Sequence, residues 1–510
     1  MIRFLTRRFL AMLAVLFAST YSIYLLIAYS GDPLTQIKMA GEDNQEYLLD
    51  QATKELHLDV PPALRYFIWL RGVLGVFIGH ADLGLTRGSS PVAEVIAVAV
   101  PTTIRLVLLS TILAMVIGIT IGLVTALRQY SKFDYSITFI SFLFYSLPIF
   151  WVAFLLKEFL AIGFNDFLAN PEITLQIAGI YGLITGLIWA SILGGSRKRF
   201  WLTWLIVAVA SALHLYLLGP FGWFKTPSLG PIFIVLLSAA IAVSLSALLG
   251  LNLNIKSLRA ALIQPLVGLI AYFVLQPLFN SKWVEWKTAL LFAALIVIAV
   301  ISARLLGGEN RKSITAVSVV TAIATAGLLL FDRGLQSWND YFNNEWISGR
   351  PIATIGEATT DITGSTWLLQ VDGATHLLLP TMALMVISIA TYVRYTRSSQ
   401  LEVMNLDYIR TARAKGLTES NVVIRHAFRN ALIPLTTVMA LDFAGVIGGA
   451  IITEKVFGWR GMGTIFSEAL VAIDLNLAMG VVLITTTSAL IFNLIADLLY
   501  SVLDPRIRVR

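Results

Sequence analysis

Chemistry in this chain gathers in one basic stretch. Between Arg394 and Pro434, the small residues Thr411, Ala412, Ala414 and Gly416 interleave with Arg410, Arg413 and Lys415. Gly416 is expected to break a helix that Thr418 and Glu419 restart, because glycine ends helices and threonine caps them. Two short helices meeting at a glycine, with a small-residue face, suit a groove on another protein. Ala412 and Gly416, spaced i and i+4, are expected to share one face, where a bulky side chain would hold the two proteins apart. Bond-making chemistry has no comparable signature. The sequence has no G-x-x-x-x-G-K-[ST] phosphate loop, no H-E-x-x-H and no G-x-S-x-G, so nucleotide must be bound by another subunit. With no cysteine there is no disulfide, thiolate metal site or thiol nucleophile. The histidines at 57, 80, 214, 376 and 426 lack metal-ligand spacing. The expectation is a non-enzyme with no catalytic residue, no metal and no cofactor of its own.

The elements that must position this stretch follow from composition. Hydrophobic residues make up 57% and charged residues 13%, against roughly 45–50% and about 25% in soluble domains. Mean hydropathy is +0.80. An all-α polytopic membrane protein is expected, since a crossing needs about 20 apolar residues. Uncharged apolar runs suggest twelve spans: Phe9–Tyr29, Leu106–Leu127, Tyr135–Leu156, Ile173–Leu193, Phe200–Leu218, Ile232–Leu251, Ala260–Phe279, Thr288–Ala303, Ser313–Phe331, His376–Val393, Ala431–Thr453 and Leu475–Ala496. The first resembles a signal peptide in its basic start, but its length and the lack of a small-residue cleavage site favour a retained span. The net charge of +7 raises nucleic acid as a partner. The cations instead fall on alternate loops (Arg3, Arg7 and Arg8; Arg128 and Lys132; Arg197 to Arg199; Lys256 and Arg259; Arg304, Arg311 and Lys312; Arg394 to Arg429; Arg506 to Arg510), as the positive-inside rule requires. No nucleic-acid partner is expected, both termini are placed in the cytoplasm, and the basic stretch becomes the longest cytoplasmic loop. Glu42–Leu58 reads as a short amphipathic helix in an outer segment, ended by Pro61 and Pro62.

A few residues within spans carry alternatives. Asp442 is costly if it faces lipid, so it lines a water-filled path or makes a helix–helix hydrogen bond. Pro148 frees backbone groups and kinks span three. Gly448, Gly449 and Ala450 permit close helix packing or act as a pore-lining hinge. Glu454 and Asp497 lie near span ends, where a structural interface is the preferred reading, and Lys157 with Glu158 pair or snorkel.

Thr411-Ala412-Arg413-Ala414-Lys415-Gly416-Leu417, followed by Arg425-His426-Ala427 and Arg429-Asn430-Ala431-Leu432-Ile433-Pro434, resembles the coupling loop of ABC importer permeases of the dipeptide/oligopeptide family. Arg410-Thr411-Ala412 stands where the general motif has Glu-Ala-Ala. Gly31-Asp32-Pro33, Leu58-Asp59, Asp82-Leu83-Gly84, Ser146-Leu147-Pro148, Gly461-Met462-Gly463 and Asp497-Leu498-Leu499-Tyr500 extend the resemblance over roughly residues 1–165 and 375–510. It implies that Asp407, Tyr408, Arg410 and Thr411 through Leu417 couple to a cytoplasmic ATPase. Pro148, Asp442, Gly448 and Gly449 would line the translocation path. The implied partners are a second homologous permease, two ATPase subunits that bind ATP and Mg, an external substrate-binding protein and membrane lipid, with a dipeptide, oligopeptide or similar small solute as cargo. The implied organisation is an N-terminal helix at 1–30, an outer cap at 31–105, core helices at 106–165, an inserted bundle at 170–332 with no counterpart in a six-span permease, an outer loop at 333–375, and core helices at 376–510 with the coupling loop at 398–430. The rival is a twelve-span ion-coupled secondary transporter, which would show pseudo-symmetric halves and charges near mid-membrane.

Overall fold

A computed structural model of the chain describes residues 2–40, 45–79, 82–248, 255–280, 283–306, 311–448 and 450–503, and these are helices and connecting turns. Helix α1 (Ile2–Ser30) is followed by an outer segment of α2 (Thr35–Ala40), α3 (Gln45–Glu55) and α4 (Pro62–Leu74). The amphipathic helix expected at 42–58 is α3. Pro61 and Pro62 serve as the cap and first residue of α4, where proline's missing N–H costs nothing. Next come α5 (Val92–Leu127), α6 (Lys132–Ser146), α7 (Ile149–Leu155) and α8 (Gly163–Ala169), with a π-helical turn between the last two. Helix α5 begins within the segment expected as an outer cap at 31–105 and runs through Pro101 as one continuous helix.

The middle of the chain forms α9 (Leu175–Leu193), α10 (Arg197–Leu218), α11 (Gly230–Leu248), α12 (Ile255–Asn280), α13 (Glu285–Leu306), α14 (Arg311–Gln336) and α15 (Trp338–Phe342). The C-terminal part holds α16 (Thr366–Met404), α17 (Asp407–Ala414), α18 (Glu419–Asn421), α19 (Arg429–Gly448), α20 (Ile451–Phe457), α21 (Met462–Ala472) and α22 (Leu475–Leu503). Each expected span overlaps helix, although spans three and eleven are each divided between two helices. Among the described residues, eight of these helices are long and apolar enough to cross a membrane, or nine if α6 and the helix that follows it are one broken span. That pair bends by 104° at Leu147–Pro148, a far larger change than the kink expected there. Span eleven also stops early: Ala450 leaves helical geometry, and Glu454 lies on the separate α20.

Three sets of contacts set the frame. Tyr66 and Trp69 of α4 pack on Tyr21 and Tyr24 of α1, and the Tyr66 hydroxyl bonds Thr20 at 2.8 Å. Gly118 and Gly122 let α5 lie directly on α16, with space for a Cβ already taken by Tyr392, Val393 and Thr396. Buried Glu454 accepts from the Thr103 hydroxyl and the Thr464 N–H, both at 2.8 Å, tying α5, α20 and α21 together. This is the interface role expected for Glu454. Asp497 pairs with Arg8 at 3.0 Å, and Lys157 donates to the Val456 carbonyl at 3.2 Å.

The middle helices build cores of their own. Helices α11 to α14 enclose Ile234, Leu291, Leu295, Ala322 and Leu329. Gly182 and Gly186 on α9 admit Ala208, Ala212 and the Trp204 carbonyl of α10. Trp367, at the start of α16, meets Phe279 and Trp283 and donates to the Phe279 carbonyl at 2.9 Å, which joins this bundle to the rest.

Candidate functional site

The basic stretch folds into an elbow between the long helices α16 and α19. Leu406 is extended and starts α17, which ends at Ala414. Gly416 then takes φ = +76°, the left-handed conformation that glycine adopts without a Cβ penalty. Its N–H bonds the Arg413 carbonyl at 2.9 Å and the Leu417 N–H bonds the Ala412 carbonyl at 3.4 Å, so the cap satisfies two helix-end carbonyls. Thr418 is extended and opens α18, and the chain enters α19 through a π-helical turn, Val422–Phe428.

Packing corrects one sequence expectation. Ala412 and Gly416 do not share a face, because the helix ends between them. Ala412 is buried with Val403, Ile409, Val422, Ala427 and Ala431 in the elbow's own core, while Gly416 is exposed, with open space around it. The reason for a small residue at 412 is internal: a larger side chain would pry α17 off the π-turn. The reason for glycine at 416 is conformational. Replacing Gly416 with valine is expected to cost the elbow about 1–2 kcal/mol, and asparagine distinctly less, because a β-branched residue resists the left-handed region. Hydrogen exchange at the amides of Gly416 and Leu417 would register the loss, in that order.

Polar clamps rigidify the turn. Arg413 grips Glu419 across Gly416 with Nε to Oε2 at 3.1 Å and a terminal nitrogen to Oε1 at 2.7 Å. This guanidinium holds the Glu419 carboxyl below its ordinary range, and Glu419 in turn raises Arg413. Asn430 donates to the Tyr408 hydroxyl at 2.7 Å, and that hydroxyl donates to the His426 carbonyl at 3.3 Å. The Ser399 hydroxyl bonds the Ala431 carbonyl at 2.8 Å, anchoring α16 to α19. The elbow is therefore tied to both long helices.

Its outward face mixes cations with uncovered apolar groups. Asp407, Arg410, Thr411, Arg413, Ala414 and Lys415 are exposed, and Leu406, Tyr408 and Leu417 are 45%, 39% and 40% exposed. Beside it, a cleft of about 790 Å³ runs from Leu123 and Leu127 of α5 to Met404 and Val423. Tyrosine and arginine are residue types enriched at protein interfaces. The clamp partner Glu419 and the apolar Leu406 are the members the sequence reading missed: Glu419 was seen only as a helix restart, and a lone leucine before Asp407 carries no signal.

Of the residues proposed from sequence for a path through the membrane, Asp442 and Gly448 lie on one helix, and Leu147 beside Pro148 and Phe443 beside Asp442 pack against the same buried cluster. Asp442 lies within α19, close enough to the Tyr392 hydroxyl on α16 to interact electrostatically, yet its Oδ2 and that hydroxyl lack a well-formed hydrogen bond. Pro148 sits at the sharp bend before α7, away from α19 in the chain. Gly448 is the last residue of α19, and Gly449 lies outside the described residues. The Asp442 Oδ2 is buried and has no hydrogen-bond partner.

Residues 118–509 match the family model described as binding-protein-dependent transport system inner membrane component. The dipeptide transport system permease protein DppB of Escherichia coli K12 is 48% identical over 138 residues, which are 27% of this chain and 41% of that relative, the shorter protein of the two. The oligopeptide transport system permease protein OppB of Mycobacterium tuberculosis H37Rv is 38% identical over 154 residues, 30% of this chain and 47% of its own length. A third, AppB of Bacillus subtilis 168, is 24% identical over 511 residues and spans 99% of both chains. Since the family match takes in the elbow, the helices on either side of it and the inserted bundle, this chain belongs to the binding-protein-dependent transport system inner membrane component family.

Proposed function

We propose that the chain is the membrane-spanning permease subunit of an ABC importer that carries dipeptides or oligopeptides, with ATP hydrolysed by separate subunits. The single observation that carries this reading is the outward face of the elbow: a clamped turn, built into two long helices, that presents arginines and uncovered apolar groups to a partner. In the proposed mechanism, two cytoplasmic ATPase subunits, which bind ATP and Mg, grip Asp407 through Leu417. Their closure tilts α17, and the Arg413–Glu419 and Tyr408–Asn430 clamps pass that displacement to α16 and α19. A loaded substrate-binding protein delivers cargo to the opposite face. The passage is shared with a second, homologous permease, and Asp442 faces it. The inserted helices α9 to α14 serve as a peripheral bundle, since they have cores of their own and meet the remaining helices chiefly through α6, α14 and Trp367. Relatives named as dipeptide and oligopeptide permeases support the choice of cargo.

Leu417 supplies the test. Its side chain is 40% exposed and is not part of the elbow's core, so Leu417→Asp puts a charge on the docking face and leaves the buried cluster in place. Co-purification of the ATPase subunits and uptake of a labelled dipeptide are both expected to fall at least tenfold, with the amount of inserted chain unchanged. Full association in Leu417→Asp and in Arg410→Glu would overturn the docking role.

A further inference from the structure

Helix α5 carries two arginines that bracket one bilayer. Arg128 caps the end beside the elbow, and between Arg105 and Arg128 no residue is charged. At about 1.5 Å per residue the two stand roughly 34 Å apart, close to the ~30 Å thickness of the hydrocarbon layer. Arg105 therefore lies at headgroup depth in the leaflet remote from the elbow. The inserted bundle places Trp283 against the same cleft and the exposed Trp286 just beyond it, as expected of the aromatic belt at a membrane–water interface.

The cleft, of about 620 Å³, opens at the seam between the inserted bundle and the remaining helices. Trp283 walls it from the bundle, Leu369, Gln370, Gly373 and Leu377 line it from α16, and Arg105 reaches in from α5. Gly373 shows where the guanidinium lies: a Cβ built there would meet one neighbour, a terminal nitrogen of Arg105, at 3.5 Å. Arg105 and Gln370 are both exposed, so a ligand can reach them. Among the described residues, neither side chain has a hydrogen-bond or ion-pair partner. Glu357 accepts from the hydroxyl of Thr102, one turn before Arg105, at 2.9 Å, and does not come within ion-pairing distance of the guanidinium.

A cation open to the bilayer at this depth meets an anion that the bilayer itself supplies. A guanidinium takes phosphate through paired N–H donors, and the neighbouring Gln370 amide can donate to the rest of a headgroup. Leu377, one turn deeper along α16, continues the cleft as an apolar surface suited to an acyl chain. We propose that Arg105 and Gln370 hold the headgroup of an anionic glycerophospholipid in this seam, with its chains along Leu377 and Trp283. One cation matches the single net charge of a phosphatidylglycerol. The bound lipid fills the gap between the inserted bundle and α5 and α16, independently of the role assigned to the elbow.

Two measurements test this. In the first, the full chain is purified in mild detergent and its retained lipid is counted by native mass spectrometry. Wild type is expected to keep phosphatidylglycerol and Arg105→Gln to lose it. In the second, the delipidated chain is followed by thermal unfolding as phosphatidylglycerol, phosphatidylcholine with the same chains, or glycerol 3-phosphate is added. Phosphatidylglycerol is expected to raise the unfolding temperature, with apparent affinity at least about tenfold weaker in Arg105→Gln and partly recovered in Arg105→Lys, which restores charge without the fork. Gly373→Leu projects into the cleft and is expected to block binding with the arginine still present, so it decides the matter if Arg105→Gln fails to fold. An equal response to phosphatidylcholine would show no selection for charge, an equal response to glycerol 3-phosphate would assign the site to a free phosphate, and either would overturn the proposal. So would lipid retention unchanged in both variants. Loss of the retained phosphatidylglycerol when the chain is purified together with a second permease would show that protein covers the seam, and would overturn it as well.

Discussion

Leucine at position 122 is expected to separate α5 from α16 and leave no stably folded chain. A Cβ on Gly122 would already sit 2.7 Å from the Thr396 Cβ and 2.8 Å from the Val393 carbonyl; one on Gly118 would sit 2.5 Å from the Tyr392 Cβ. These obstacles are backbone and the rigid bases of side chains, so neither can swing aside. Alanine at either position is expected to cost about 1–3 kcal/mol as overpacking, and leucine to go well beyond that. Helices in lipid associate by close contact, not by a hydrophobic drive, so loss of that contact is not recovered elsewhere. The check is thermal unfolding of detergent-purified Gly118→Ala and Gly122→Ala beside the yield of Gly122→Leu. Wild-type stability in both alanine variants would show that the two helices are not held at this distance.

Arg397→Leu is expected to destabilise the chain by about 3–5 kcal/mol, because it strands a buried carboxylate. Arg397 on α16 donates from Nε to Asp134 Oδ1 at 2.7 Å and from a terminal nitrogen to Oδ2 at 2.9 Å. The Asp134 side chain is only 2% exposed. It also accepts the N–H of Tyr130 at 2.9 Å, holding that residue at φ = +63° in the turn that joins α5 to α6. Replacing both partners with apolar residues is expected to cost much less than the single change, since the penalty lies in the unpaired charge. Unfolding midpoints of Arg397→Leu, Asp134→Leu and the double variant measure the coupling. Additive losses would mean that the two side chains do not act as a pair.

Much of the architecture was legible because it follows from local properties. A backbone in lipid must satisfy its own hydrogen bonds, so each long apolar run becomes a helix whatever surrounds it. Glycine after a basic amphipathic segment signalled a turn, and the elbow forms where Gly416 and Thr418 placed it. The spacing of Gly118 and Gly122 was also in plain view as a close-packing signature, although nothing in the chain names Tyr392 and Thr396 as the residues they admit. The sequence reading passed over it.

Other features depend on partners remote in the chain. Whether Ala412 faces a neighbouring protein or its own elbow is decided by Val422 and Ala427, which fold back on it only after the left-handed cap at Gly416 reverses the chain. Proline at 148 is the local exception: it foretold a deviation, and the 104° bend passes through two extended residues in a row, Leu147 and Pro148. Ionic and packing partners such as Arg397 and Asp134 lie 263 residues apart.

By itself, then, the sequence determined that this protein is a bundle of membrane helices with a basic, glycine-hinged elbow, since hydrophobicity and backbone propensity act over a few residues. Only the tertiary structure decided which side of the elbow is outward, which glycines are contact points, and which arginine meets the buried Asp134 carboxylate. Each of those depends on what a distant segment places within a few ångströms, and that is a property of the folded chain.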